Sequence, residues 1–464
     1  MTDKKGRLQE KVVGLQARIG DEFYLNRPDI EVNGERHNAA LLFGTLTELN
    51  KGSMLLFGEY GGGKTTSAEY LNAVFNGLPL DLVKRVAIRG NPQETKESII
   101  GNPDYGLMNT GDREWGQKPM WTHWSLVGPK IIDEFPRIPE SNQALVLDVV
   151  DRGNIGYMRA HISQGKQPFF ATANYADKGS FELIPAMRDR FDVAVESGFP
   201  GVMNALYIAQ DYHNDKDRIL SNPELTARIL QSLNSGNPYE KIQAELEEIV
   251  IEHKINLVSQ GFPDLTREDR ERIEQEVRVV PLDRDAEQYF AFLVSEMNTS
   301  QRYGQKRSID DPAGERKNGL YLNAAFIGSG SRRAEKSLLR YAKTLAWLQN
   351  HDKPVVNLDH ILQVAPYILW HRIRWTPETE QAFRDSDRRD PLNLHITKTL
   401  LGDGTNEMPG VKKRFAESHE NYQRVIDLAG HGEIDEAIKE ARTYDAGGRG
   451  HPIFLDTIKD LGGR

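Results

Sequence analysis

The stretch LLFGEYGGGKTTSAEYL, residues 55–71, decides how this chain is read. An apolar run stops at Gly58, glycines fill positions 61–63, and Lys64, Thr65 and Thr66 lead into a pattern with Ala68, Leu71 and Phe75 on one helical face. Gly58, Glu59, Tyr60, Gly61, Gly62, Gly63, Lys64 and Thr65 satisfy the G-x-x-x-x-G-K-S/T pattern, with a strand before it and a helix after. The glycines let backbone N–H groups turn inward and join the helix N-terminus around a phosphate. Lys64 is expected to reach the β and γ phosphates of a nucleotide, and the Thr65 hydroxyl to ligate magnesium. A glycine-rich turn with an incidental lysine is the plainer alternative, and the two correct flanks argue against it.

Outward from this loop, SMLLF (53–57), RVAI (85–88), KII (130–132) and PFFATAN (168–174) read as short strands between helical patterns. Such alternation predicts βαβ units and a mainly parallel sheet covered on both faces. At 464 residues the chain has room for two or three domains. Its 38% hydrophobic and 27% charged content is that of a soluble globular protein. No apolar stretch approaches the roughly 20 residues of a membrane span, and the charged MTDKKGRLQEKVVGLQ start is unlike a signal peptide. With no cysteine, disulfides and thiolate metal sites are excluded and the cytoplasm is the expected location. A net charge of −9 gives no reason to expect nucleic acid.

GPKIIDEFPRIP follows the loop by some 65 residues. Asp133, at the end of an apolar strand, can hold magnesium through its water shell, and Glu134 can polarise the attacking water. An acid pair capping a helix is the alternative; after a phosphate loop the catalytic reading is preferred. Asn174, ending PFFATAN, could hydrogen-bond a γ-phosphate or a water, although a turn asparagine is the commoner explanation. Arg188 and Arg190 close a helical stretch, where cations also offset the helix dipole.

These elements, in this order, resemble the AAA+ ATPases, and specifically the MoxR family. The resemblance rests on VNGERH (32–37), GEYGGGKT (58–65), DEFPRIP (133–139), ATANY (171–175), IPAMRDRF (184–191) and GSGSRRAEK (328–336). It implies an α/β fold, an AAA+ P-loop αβα sandwich with a parallel sheet, then an all-helical lid domain and a helical C-terminal extension. The implied boundaries are 1–202 for the core, with a helix-2 insertion and a β-hairpin before sensor 1, 203–278 for a charged helical connection, 279–374 for the lid and 375–464 for the extension. Matched motif by motif, Val32 and Gly34 fall near the adenine, Lys64 and Thr65 are the Walker A pair, and Asp133 and Glu134 the Walker B pair. Asn174 matches sensor 1. Arg190 matches the finger that completes a neighbour's site, with Arg188 as its competitor, and Arg333 matches sensor 2, with Arg332 as its competitor. The resemblance further implies ATP and Mg2+ as cofactors, a homo-oligomeric ring of hexamer type, a protein client, and a partner with a von Willebrand factor A domain. The sequence departs from the family where Gly128, Pro129 and Lys130 replace apolar residues of the Walker B strand, where Glu35 replaces a glutamine, and where Arg332 replaces a proline.

Three other functions share much of this pattern. One is a magnesium-chelatase-like motor subunit. Another is a nucleic-acid motor, for which Arg159, His161 and Lys166 in RAHISQGK would speak; solvated surface cations explain them as well. The third is a non-hydrolysing scaffold ordered by ATP, against which Glu134 stands. His360, His371 and His395 lack metal-ligand spacing. The tryptophans of WTHW (121–124) are read as core. In the charged segment, Ile242, Leu246, Ile249 and Val250 share a helical face, and YQRVIDLAGHGEIDEAIKEARTY reads as a helical hairpin turning at 430–432 that packs against the body.

Overall fold

The computed structural model describes residues 3–22, 28–59, 61–106, 119–174, 183–198, 202, 206, 213–302, 321–327, 330–350, 352–445 and 450–463. The chain divides into two compact units, Met1–Val279 with Trp347–Pro354, and Val280–Ala346 with Val355–Arg464.

The first unit is built on a five-stranded sheet. Its strands are β1 (Ser53–Phe57), β2 (Ile88–Arg89), β3 (Lys130–Asp133), β4 (Phe169–Ala173) and β5 (Val193–Glu196). They lie in the order β5-β1-β4-β3-β2, and every pairing is parallel. Met54, Leu55, Leu56, Ile132, Phe170 and Ala171 are fully or almost fully buried, as expected of a parallel sheet covered on both faces. RVAI does not form a strand over its length. Leu80, Leu82, Val83 and Val86 make the buried face of a helix, Leu80–Val86, and only Ile88 and Arg89 pair. The fifth strand lies in VAVE, outside the apolar runs picked from the sequence.

Helix α1 spans Asp3–Glu22 and α2 spans Ala39–Asn50. The Asn38 side chain caps α2 by accepting from the Leu41 amide. Helix α3 (Lys64–Asn76) starts at Gly63 and ends at Gly77, both with positive φ, and buries Ala68, Leu71 and Phe75 as the spacing predicts. Before α2, Ile30–Val32 pairs with Glu35–His37 across the two-residue turn Asn33–Gly34, whose φ values of 50° and 83° suit a tight hairpin. Helix α4 (Glu140–Arg152) leads into a hairpin of Asn154–Tyr157 and Ala160–Ser163. The charged segment forms α5 (Pro223–Leu233), α6 (Tyr239–Ser259) and α7 (Arg267–Arg278). Ile242, Leu246 and Ile249 of α6 are buried while Val250 is half-buried.

In the second unit, α8 (Arg284–Arg302), α9 (Arg332–Gln349, whose last three residues belong to the first unit) and α10 (Leu358–Leu369) are joined by the tail helices α11 (Val411–Gly430), α12 (Ile434–Asp445) and α13 (Pro452–Asp460). Leu338, Tyr341, Ala342 and Leu345 form the buried stripe of α9. Among the described residues the unit's one pair of strands is antiparallel, Phe326–Ile327 with Arg374–Trp375. The hairpin α11–α12 turns at Gly432, φ 82°. It packs on α8 through Phe415, whose ring lies 5.5 Å from Tyr289 and 5.2 Å from Phe292. A buried knot ties these helices. Glu296 of α8 accepts from Arg414 Nε at 2.8 Å and Nη2 at 2.6 Å, from His451 Nε2 at 3.1 Å and from the Leu322 amide at 2.9 Å. Burial alone would raise this carboxyl; the His451 hydrogen bond and the Arg414 guanidinium outweigh it and hold it at about 2.

Two predictions follow from these buried carboxyls. Arg414→Met leaves the Glu296 charge without its guanidinium and should lower the unfolding free energy by about 3 kcal/mol or more, read by denaturant titration. Glu48 of α2 has a carboxyl pushed up to about 7 by burial, against Arg270 and the Asn76 amide. A raised carboxyl pKa means this contribution to stability is complete below the ordinary value of 4.5 and lost as pH rises through about 7. Unfolding free energy should therefore fall by on the order of 3 kcal/mol between about pH 5 and 8. Glu48→Gln should flatten that dependence.

Candidate functional site

The site lies at the C-terminal ends of β1, β3 and β4, where the parallel register brings three chain segments level. Phe57 ends β1 opposite Ala173 of β4, and Ile132 of β3 pairs with Ala171. The loop from Gly58 to Gly63 rises from β1. Gly61 and Gly63 have φ of 76° and 73°, and a Cβ at either would meet nothing within 4 Å, so the loop leaves room beside its backbone. Gly58 has no such room: a Cβ there would sit 2.5 Å from the Ser197 carbonyl oxygen. Ser197, just past β5, donates its amide to Phe57 O at 2.7 Å and its hydroxyl to Gly62 O, bracing the loop from the far side.

Lys64, only 7% exposed, donates from Nζ to Glu59 O at 2.7 Å and Gly58 O at 3.0 Å. Burial lowers its pKa, while the carboxylates of Asp133, Glu134 and Glu59 oppose that shift. The Thr65 hydroxyl donates to Asp133 Oδ1 at 2.6 Å. Glu134 stands at φ 50°, ψ 43°, a left-handed backbone unusual for a residue with a side chain. Its carboxylate is held on both oxygens, by Arg137 Nη1 at 3.0 Å from Oε2 and by Asn174 Nδ2 at 3.4 Å from Oε1. Glu69, one turn beyond Thr65, has its carboxyl raised to about 7, chiefly by burial.

Phosphate loop, acid pair and Asn174 thus converge. Glu59 and Thr66 lie exposed on the loop and at the start of α3, and Tyr60 falls outside the described residues. Val32 is buried and Gly34 occupies the hairpin turn, where Gln349 Nε2 donates to Val32 O at 3.3 Å and Gln349 Oε1 accepts from Asn33 at 3.0 Å. Arg190 is turned to its own unit: Nε donates to Asp151 Oδ2 at 2.9 Å and Nη1 to Ala186 O at 2.8 Å. Arg188 ends the short helix Pro185–Arg188. Arg332 and Arg333 open α9; Arg332 pairs with Glu335 at 2.7 Å, and the Arg333 amide donates to Ser331 Oγ at 3.2 Å. Lys166 lies 3.7 Å from Asp192, and Trp124 of WTHW is core while Trp121 is half-buried.

Besides Ser197, three contributors have no assigned role in the sequence reading. Gly90, past β2, donates its amide to Asp133 O at 2.7 Å, and a Cβ there would lie 2.4 Å from Glu134 O. Arg137, inside DEFPRIP, holds Glu134 Oε2. Thr172 sits inside β4, where β-branching alone explains a threonine, and only the fold puts its hydroxyl beside Asp133.

The donor set fits the nucleotide and metal that the motif implies. Thr65 and Asp133 offer hard oxygen atoms, few enough for a magnesium ion that keeps waters and takes phosphate oxygens. Among the described residues no group of three or more histidine or acidic side chains gathers to hold a metal unaided. None of the described helices is long and apolar enough to cross a membrane.

Residues 53–191 match the model of the AAA domain, dynein-related subfamily, and residues 323–391 match that of the AAA lid domain. No curated protein matches the chain. Among solved structures, the chain is similar to a candidate ATPase from Cytophaga hutchinsonii, with a TM-score of 0.50 and 17% identity over 82% of this chain and 92% of that one. At that identity the likeness speaks for the fold alone. Taken with the parallel sheet and the helical second unit, these matches give the chain the AAA+ fold, an AAA-type domain and an AAA lid among its parts.

Proposed function

We propose that the protein is a MoxR-type AAA+ ATPase that hydrolyses magnesium-ATP in an oligomeric ring, of hexamer type, to remodel or mature a protein client in the manner of a chaperone. A partner with a von Willebrand factor A domain belongs to the same reading. The observation that carries the hydrolytic core is the Thr65 hydroxyl on Asp133 Oδ1 at 2.6 Å, with Glu134 next in the chain and Asn174 beside it.

In this reading Thr65 and Asp133 hold magnesium, which when bound supplies positive charge against the phosphate oxygens. The loop N–H groups and Lys64 bind the phosphates, the ammonium exchanging its two loop carbonyls for phosphate oxygens. Glu134 orients the attacking water and takes its proton, and Asn174 restrains that carboxylate. Arg190 serves the site of a neighbouring subunit, with Asp151 setting the direction of its guanidinium.

Steady-state hydrolysis of magnesium-ATP across a range of subunit concentrations tests this, with Lys64→Ala as the blank. The rate per subunit should rise with concentration. Arg190→Ala should lose about 1,000-fold in kcat while still binding nucleotide, and Glu134→Gln about 100-fold or more. A rate at the blank level at every concentration would sink the hydrolytic reading.

A further inference from the structure

Thr172 is 1% exposed and lies in β4 opposite Leu56 of β1. Its hydroxyl does two things at once. It donates to Asp133 Oδ1 at 2.6 Å, and it accepts the Glu134 amide proton at 2.9 Å. A carboxylate only accepts and an N–H only donates, so the direction of both bonds is settled by chemistry. In the hydrolytic reading the two residues it joins are the one that would hold the metal and the one that would activate the water. It also meets Glu134 where the backbone takes its left-handed turn, the conformation that sends the Glu134 side chain to Arg137 and Asn174.

We propose that Thr172 is a positioning residue that locks the Glu134 carboxylate in register with Asp133, so that charge at the metal side and water activation are set by one hydroxyl. The proposal rests on the hydrolytic reading given above. Valine matches threonine in shape but supplies neither bond; serine supplies both.

The test compares wild type, Thr172→Val and Thr172→Ser in kcat and KM for magnesium-ATP, with hydrogen exchange of the Glu134 amide followed in parallel. Thr172→Val should lower kcat by about 100-fold with KM changed by less than about 3-fold. Its Glu134 amide should exchange at least about 10-fold faster than in wild type. Thr172→Ser should restore both to within about 3-fold. Thr172→Ala carries the same expectation should the valine variant not fold. An active wild type matched in kcat by Thr172→Val overturns the positioning role alone, as does a Glu134 amide whose exchange does not change. A wild type no faster than Lys64→Ala overturns the hydrolytic reading and the role of Thr172 with it.

Discussion

Oδ1 of Asp133 accepts hydroxyls from Thr65 and Thr172, each at 2.6 Å, and the rest of the site is arranged around that one acceptor. The two donors come from different elements, the first turn of α3 and the interior of β4. They can meet only if β3 and β4 are paired in one register and the loop after β1 delivers α3 at the right height. A slip of one residue in either strand would turn Asp133 or Thr172 to the opposite face of the sheet. Backbone approaches so close at two points that only glycine serves, at Gly58 against Ser197 and at Gly90 against Glu134.

Charge at the site is lopsided. Asp133, Glu134 and Glu59 surround one buried ammonium, and burial works against that ammonium while the carboxylates support it. Arg137 takes up one oxygen of Glu134. The arrangement suits a ligand that brings both signs, a cation for the carboxylates and phosphate oxygens for Lys64 and the loop N–H groups. It also explains why Glu134 is held on both oxygens: an acid at a strained backbone position, beside another acid, needs opposing donors to stay in one orientation.

Local pattern is enough for the loop, the acid pair and three of the sheet's five strands, SMLLF, KII and PFFATAN. The loop was legible because three glycines, a lysine and a threonine at fixed spacing leave few other uses, and α3 and α9 because their apolar residues recur at helical intervals. RVAI misled because a buried amphipathic helix and a strand can share the same apolar residues over so short a run. VAVE was passed over although it completes the sheet beside β1. The Asn33–Gly34 hairpin carried a direct turn signal that went unread. Thr172, Gly90 and Ser197 had no local signal: each acts on a residue 38 or more positions away, or across strands, and only pairing brings them together.

Lys130 shows why a departure from pattern need not weaken a site. A lysine in the strand that delivers Asp133 reads as a defect, since charge is costly in a covered parallel sheet. In β3 side chains alternate, so Lys130 and Asp133 face opposite sides. The Lys130 side-chain nitrogen, fully buried, donates to the carbonyls of Trp124, Ser125 and Val127, the open C-terminal end of the short helix His123–Leu126. Its pKa is driven well down by burial. The Trp124 indole returns a hydrogen bond to Ile131 O at 3.2 Å. Strand and preceding turn are thereby fastened at two points on the face away from the chemistry, which fixes the height at which Asp133 emerges. The residue that makes the strand look poor in sequence is the one that holds it in place.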